Sequence, residues 1–76
     1  MPSLDDLAIG GSGRVARIDL PAADCQRLVE MGLTQGATVK VLRVAPLGDP
    51  IEILIRGYHL SLRKSDARSI LLEASS

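Results

Sequence analysis

The sequence predicts a mainly β fold with one short helix, about five short strands curled into a small, partly open barrel. Three observations carry that prediction. Residues 51–62 alternate between two sets of side chains across a two-residue Arg56-Gly57 loop, the period of two expected of a hairpin. Cys25, Leu28 and Val29 fall at helical spacing between Pro21 and Gly32. The other apolar runs are short and punctuated by Gly and Pro. Five short strands in 76 residues cannot leave much edge open, so a partly closed barrel is the economical arrangement.

In chain order, Leu4 and Leu7 lead into Gly10-Gly11-Ser12-Gly13, a turn by its backbone freedom. Arg14 to Leu20 reads as the first strand, with Val15, Ile18 and Leu20 apolar. Pro21 opens the helix, where its missing N–H has no helical partner. Gln26, Arg27 and Glu30 occupy the face opposite Cys25, Leu28 and Val29. With Met31 as C-cap, Gly32 takes the left-handed position after it, and Leu33 meets Leu28 as the hydrophobic pair of a Schellman end. The helix therefore covers about Ala22 to Met31, and Gly32 is a structural turn residue.

Thr38 to Val44 is a second strand, and the shift from Val39 and Val41 to Leu42 and Val44 signals a bulge or a strand covered partly on both faces. Ala45-Pro46-Leu47-Gly48-Asp49-Pro50 is a loop bracketed by Pro and Gly. Asp49, before a proline, is pushed to extended geometry and feeds the next strand. Parity then sets the hairpin register. A two-residue loop with Gly57 at its turn pairs Ile55 with Tyr58, Ile53 with Leu60 and Ile51 with Leu62, all on one face. Tyr58 thus reads as inward, while Leu54 and His59 share the outer face. Lys64 to Arg68 reads as one helical turn capped by Ser65. Ile70 to Glu73 is the last strand. The chain is one domain over residues 1–76, with frayed tails at 1–3 and 74–76.

Composition narrows the function classes. Apolar residues make up 46% of the chain, but there is no Phe or Trp and one Tyr, so the core is aliphatic. Nine basic and nine acidic residues cancel. Without a basic surface or stacking aromatics, nucleic-acid binding is excluded, as is an aromatic groove for Pro-rich peptides. One cysteine forms no internal disulfide. No apolar run approaches the roughly 18 residues of a membrane span, so no direct membrane insertion is expected. Met1-Pro2-Ser3-Leu4-Asp5-Asp6 carries acid where a signal peptide needs positive charge, which points to the cytoplasm. Domains this small bury only about 60% of their unfolded surface, so idealised packing or self-association is expected.

Candidate reactive residues are few. A nucleophile needs a base and the base an orienting group. Cys25 lies on an apolar helix face and His59 on the outer face of a hairpin, so no enzyme is expected. Metal ligands must cluster. Cys25 and Glu30 are five residues apart on one helix, poorly placed for one ion. His59 is the single metal candidate, and it reads as a surface residue beside Leu54. No cofactor is expected. Contact residues are the more promising class: Leu47, Gly48, Asp49 and Pro50 in a loop stiffened by two prolines, Met31 and Leu33 at the helix end, and outward Leu54, with Leu42 adding apolar surface.

Three ordered stretches carry a family resemblance. They are Arg27-Leu28-Val29-Glu30-Met31-Gly32-Leu33 with Gly36, then Ala45-Pro46-Leu47-Gly48-Asp49-Pro50-Ile51, then Arg56-Gly57-Tyr58-His59-Leu60-Ser61-Leu62-Arg63-Lys64. With Leu4-x-x-Leu7, Gly10 and Gly13-x-Val15, they closely resemble the FeoA family of ferrous iron transport accessory proteins, over Leu4 to Leu72. The chain departs from the family at Gln26, where Arg is common, and in its glycine-rich first turn. The resemblance implies an SH3-like barrel, similar also to the C-terminal domain of iron-dependent repressors. It implies a regulator of ferrous iron uptake that binds the soluble GTPase domain of the membrane permease FeoB. The alternative it leaves is a metal-responsive module that itself binds a transition metal ion.

Overall fold

In the computed structural model, which describes residues 2–73, the hairpin forms in the register that parity requires. Strand β3 (Ile51–Ile55) pairs antiparallel with β4 (Tyr58–Leu62), with Ile51 opposite Leu62, Ile53 opposite Leu60, Leu54 opposite His59 and Ile55 opposite Tyr58. The turn between them has Arg56 at φ 49° and Gly57 at φ 82°. Two positive φ values mark a type I′ turn, whose twist matches that of the flanking strands. Three further strands complete one antiparallel sheet: β1 (Ser12–Ile18), β2 (Thr38–Val44) and β5 (Ile70–Leu72), in the order β4-β3-β2-β1-β5. The sheet does not close, because β4 and β5 do not pair.

Two irregularities curl it. The expected bulge in β2 lies between Val41 and Arg43, where the register against β3 shifts at Leu42. A second lies between Val15 and Arg17 in β1. β1 pairs with β2 through Ser12–Arg14 and with β5 through Val15–Ile18. A bulge bends its strand and increases the local twist, so β1 carries the sheet around a corner. The enclosed core is all aliphatic, with Val15, Val39, Val41, Ile53, Ile55, Ile70 and Leu72 at most 2% exposed and no buried polar residue among those described.

Helix α1 (Ala22–Glu30) ends as expected. Gly32 has φ +97°, its N–H donates to Val29 O at 3.0 Å, and Leu33 N–H donates to Leu28 O at 3.0 Å. Those are the two bonds of a Schellman motif. Only Leu28 of this helix is buried, however. Cys25 is half-buried and Val29 is 41% exposed. The expected three-residue apolar face is thus narrower, because α1 lies at the margin of the sheet and only one turn reaches the core.

Other expectations are corrected. Tyr58 is 65% exposed rather than inward, because it begins an edge strand where no element covers it. The second helix, α2 (Lys64–Arg68), has Arg63 rather than Ser65 as its N-cap. Of the tail expected at 1–3, Pro2 and Ser3 are tied down: Leu72 N–H donates to Pro2 O at 2.8 Å, and Ser3 bridges to Leu71. Ser3 N–H and Oγ also donate to Asp6 Oδ2, at 2.8 and 3.3 Å. This Ser-x-x-Asp bracket holds a 3-10 turn at Leu4–Asp6 that seats Leu4 in the core. Met1 and the tail at 74–76 lie outside the described residues.

Candidate functional site

The contact residues named from the sequence fall in three places. Leu33 is fully buried and offers no surface, because the Schellman turn folds it under Leu28. Met31, next to it, is 41% exposed. In the β2–β3 loop, Leu47 is 96% exposed at the tip and Pro50 is exposed at the base. Leu54 is half-buried on the outer face opposite His59, and Leu42 is half-buried as well.

Asp49 has an internal partner. Its Oδ1 accepts the Lys64 N–H at 3.0 Å. The first amide groups of a helix have no intrahelical acceptor, and a carboxylate there also meets the positive end of the helix dipole. Asp49 therefore caps α2 from a different element and braces the loop that presents Leu47. Asp49→Ala is expected to cost about 1 kcal/mol, the usual loss for a helix cap. Asp49→Asn retains an acceptor and loses less. Urea titration of both variants checks the ranking.

A groove of about 510 Å³ runs between α1 and β4. Leu28, Met31, Leu60 and Leu62 line it together with Ser61, Asp24 and Arg27 from α1 and Arg63 and Asp66 opposite, and its exposed lining is mostly polar. At the Met31 end it meets a second cleft formed with Glu30, Gly32 and Tyr58. The sequence did not point to this groove. Leu60 and Leu62 read as a core face, and nothing in their spacing says that a helix lies alongside rather than on top of them.

The outer face is polar around its leucines. Arg43 and Glu52 face each other across β2 and β3 in an ion pair. The Glu52 carboxylate, through its hydrogen bond first and its charge second, holds the Arg43 guanidinium above its ordinary pKa. His59 lies beside this pair with Ser61. No three His, Cys, Asp or Glu side chains gather to hold a metal ion among the described residues. Nor is any helix among them long and apolar enough to cross a membrane. The arrangement supplies apolar contact surface and paired charges.

Comparison with known proteins places this chain. A relative in Porphyromonas gingivalis, an Fe(2+) transport protein A/Fe(2+) transporter FeoB fusion protein, is 36% identical over 70 residues, 92% of this chain. The chain spans 8% of the length of that relative. The solution structure of a FeoA protein from Chlorobium tepidum superposes with a TM-score of 0.93 at 37% identity, covering 99% of this chain and 71% of that one. The crystal structure of the Stenotrophomonas maltophilia FeoA, a zinc complex described as an SH3 domain protein, gives 0.82 at 27% identity, over 96% of this chain and 91% of that one. A manganese-dependent transcriptional repressor shares the fold alone, with a TM-score of 0.82 at 22% identity over 93% of this chain and 40% of the repressor. The open five-stranded sheet is thus SH3-like, as the resemblance implied. The FeoA domain family model matches residues 3–74, from the bracketed Ser3 past the end of β5, and the chain belongs to the FeoA family.

Proposed function

We propose that this protein is a cytoplasmic, non-enzymatic accessory of ferrous iron uptake that binds the soluble GTPase domain of a FeoB-type permease. The observation that supports it best is the P. gingivalis relative, in which a segment like this chain and FeoB form one polypeptide. Modules joined in one chain meet at a high effective concentration. The same two modules on separate chains need a contact surface instead. Leu47 provides one, 96% exposed on a loop stiffened by Pro46 and Pro50 and braced through Asp49. A stiff loop loses little entropy on binding. Gly48 shapes that tip and Pro50 its base, and Met31 and Leu54 are further contacts.

Calorimetric titration against the soluble GTPase domain, empty, GDP-bound and bound to a GTP analogue, tests this. Binding is expected in at least one state, weakened about tenfold or more by Leu47→Asp, a change worth about 1.4 kcal/mol. Because Leu47 buries almost nothing, that variant keeps its fold. Absence of binding in every nucleotide state, together with full iron uptake by a strain lacking the protein, overturns the proposal.

The zinc complex of the S. maltophilia relative motivates a second reading, a module that takes up a transition metal itself. Here it would rest on His59. Anaerobic dialysis against Fe²⁺ separates the two readings: stoichiometric uptake lost in His59→Ala favours the second.

A further inference from the structure

The two ends of the open sheet are treated differently. The β5 edge is covered by the N-terminal segment, through the Ser3–Leu71 bridge and the Leu72 bond to Pro2. The β4 edge is bare among the described residues. In an antiparallel pair, opposed residues alternately exchange both hydrogen bonds and none. The Ile55–Tyr58 pair closes the two-residue turn, so Tyr58, Leu60 and Leu62 bond to β3. His59 and Ser61 therefore turn their N–H and C=O outward.

Edge strands are ordinarily guarded by Lys, Pro, bulges or inward charges. β4, Tyr58-His59-Leu60-Ser61-Leu62, has none of these, and its ladder with β3 runs without a shift. Beside it lies the groove, polar along most of its exposed lining, with the apolar surfaces of Tyr58 and Met31 exposed at its end. The rim charges, Asp24, Arg27, Arg63 and Asp66, take part in none of the ion pairs among the described residues, which join Arg14 to Glu73, Arg43 to Glu52 and Arg68 to Asp5. Two acids and two bases balance along this rim, so like charge does not oppose a second copy there, and the chain's net charge of zero sets up no repulsion between copies.

We propose that this face is the interface of a homodimer in which β4 pairs antiparallel with β4 of a second copy. A two-fold axis at Leu60 sets His59 opposite the partner's Ser61, and Ser61 opposite the partner's His59, each pair exchanging both bonds. Leu60 meets its own counterpart in a non-bonded pair, with about 4.5 Å between Cα atoms. Tyr58 gains the partner's Leu62 as its cross-strand neighbour, the apolar cover it lacks alone. A standard interface hides about 800 Å² per partner, roughly a sixth of the 4799 Å² surface here. A strand edge and its groove supply less, so the dimer is weak, with Kd on the order of 1–100 μM.

Sedimentation equilibrium over a concentration series tests the pairing with two variants. Ser61→Pro removes an outward N–H and leaves the β3 ladder intact, the setting in which an edge strand accepts proline. The wild type is expected to dimerise, and Ser61→Pro to weaken the dimer at least about tenfold. In a Cys25→Ser background, Leu60→Cys is expected to give a covalent dimer on oxidation, since the spacing at the axis lies within disulfide reach. That crosslink decides alone if Ser61→Pro does not fold. A monomer across the series, a dimer unaffected by a folded Ser61→Pro, or a dimer without crosslinking overturns the proposal. So does a monomer whose His59 and Ser61 amides become protected only when the FeoB-type soluble domain is added, which gives the edge to a partner's strand.

Discussion

Leu28→Ala is expected to cost about 3 kcal/mol and to release α1 from the sheet, the mid-range loss for a buried leucine truncated to alanine. Leu28 is 2% exposed and is the one residue of α1 that is buried, so no second anchor shares the load. Its carbonyl also accepts the N–H groups of Met31 and Leu33, at 3.1 and 3.0 Å, so the helix end and its anchor coincide. In a domain of this size each kcal/mol moves Tm by about 4–8 °C, giving a fall of roughly 12–24 °C. Val29→Ala, one residue on but 41% exposed, is the control and should stay within about 0.5 kcal/mol. Thermal unfolding followed by circular dichroism measures both, and hydrogen exchange should show the α1 amides opening before those of β2 and β3. A loss below about 1 kcal/mol for Leu28→Ala would mean that α1 is held by something else.

Gly32→Ala is expected to cost about 1–2 kcal/mol, the strain of holding a side chain in the left-handed region. A second contribution comes from Arg56. A Cβ added at Gly32 would lie 3.1 Å from Arg56 Cδ, so that side chain must shift. Arg56 itself spans two elements, its Nε donating to Gly32 O at 3.3 Å and its Nη2 to Thr34 Oγ1 at 3.4 Å. It thereby straps the β3–β4 turn to the end of α1. That strap accounts for an arginine at φ 49°, where asparagine or glycine would suit the turn better. A double-mutant cycle separates the two parts. In an Arg56→Ala background the cost of Gly32→Ala should fall by roughly 0.5–1 kcal/mol, because the crowding is gone and the backbone strain remains. Equal costs in both backgrounds would assign the whole penalty to the backbone.

Most of the local structure was legible. The hairpin register followed from parity, since shifting a strand by one residue turns every side chain to the other face. The Schellman end followed from Gly32 between Met31 and Leu33, and the β2 bulge from a broken alternation. The candidate site was legible only in part. Met31 and Leu47 are exposed as expected, but Leu33 lies beneath the turn and Asp49 caps α2. The Ser3-x-x-Asp6 bracket is itself a local signal for the N-terminal turn, and it lies in a segment that position alone marks as a tail.

What the sequence determined by itself is therefore everything set by neighbours along the chain: strand phase, helix ends, turn types and an aliphatic core. The tertiary structure alone decided which surfaces are covered. Tyr58 and Leu60 share a strand face, yet one lies open and the other is half-buried. Asp49 and Lys64 are 15 residues apart, yet they share a hydrogen bond. One sheet edge is sealed by Pro2 and Ser3, while among the described residues the other stands bare. Periodicity fixes a side chain's direction relative to its own element. Burial depends on what another element brings across that face, and distant elements meet only when the sheet curls.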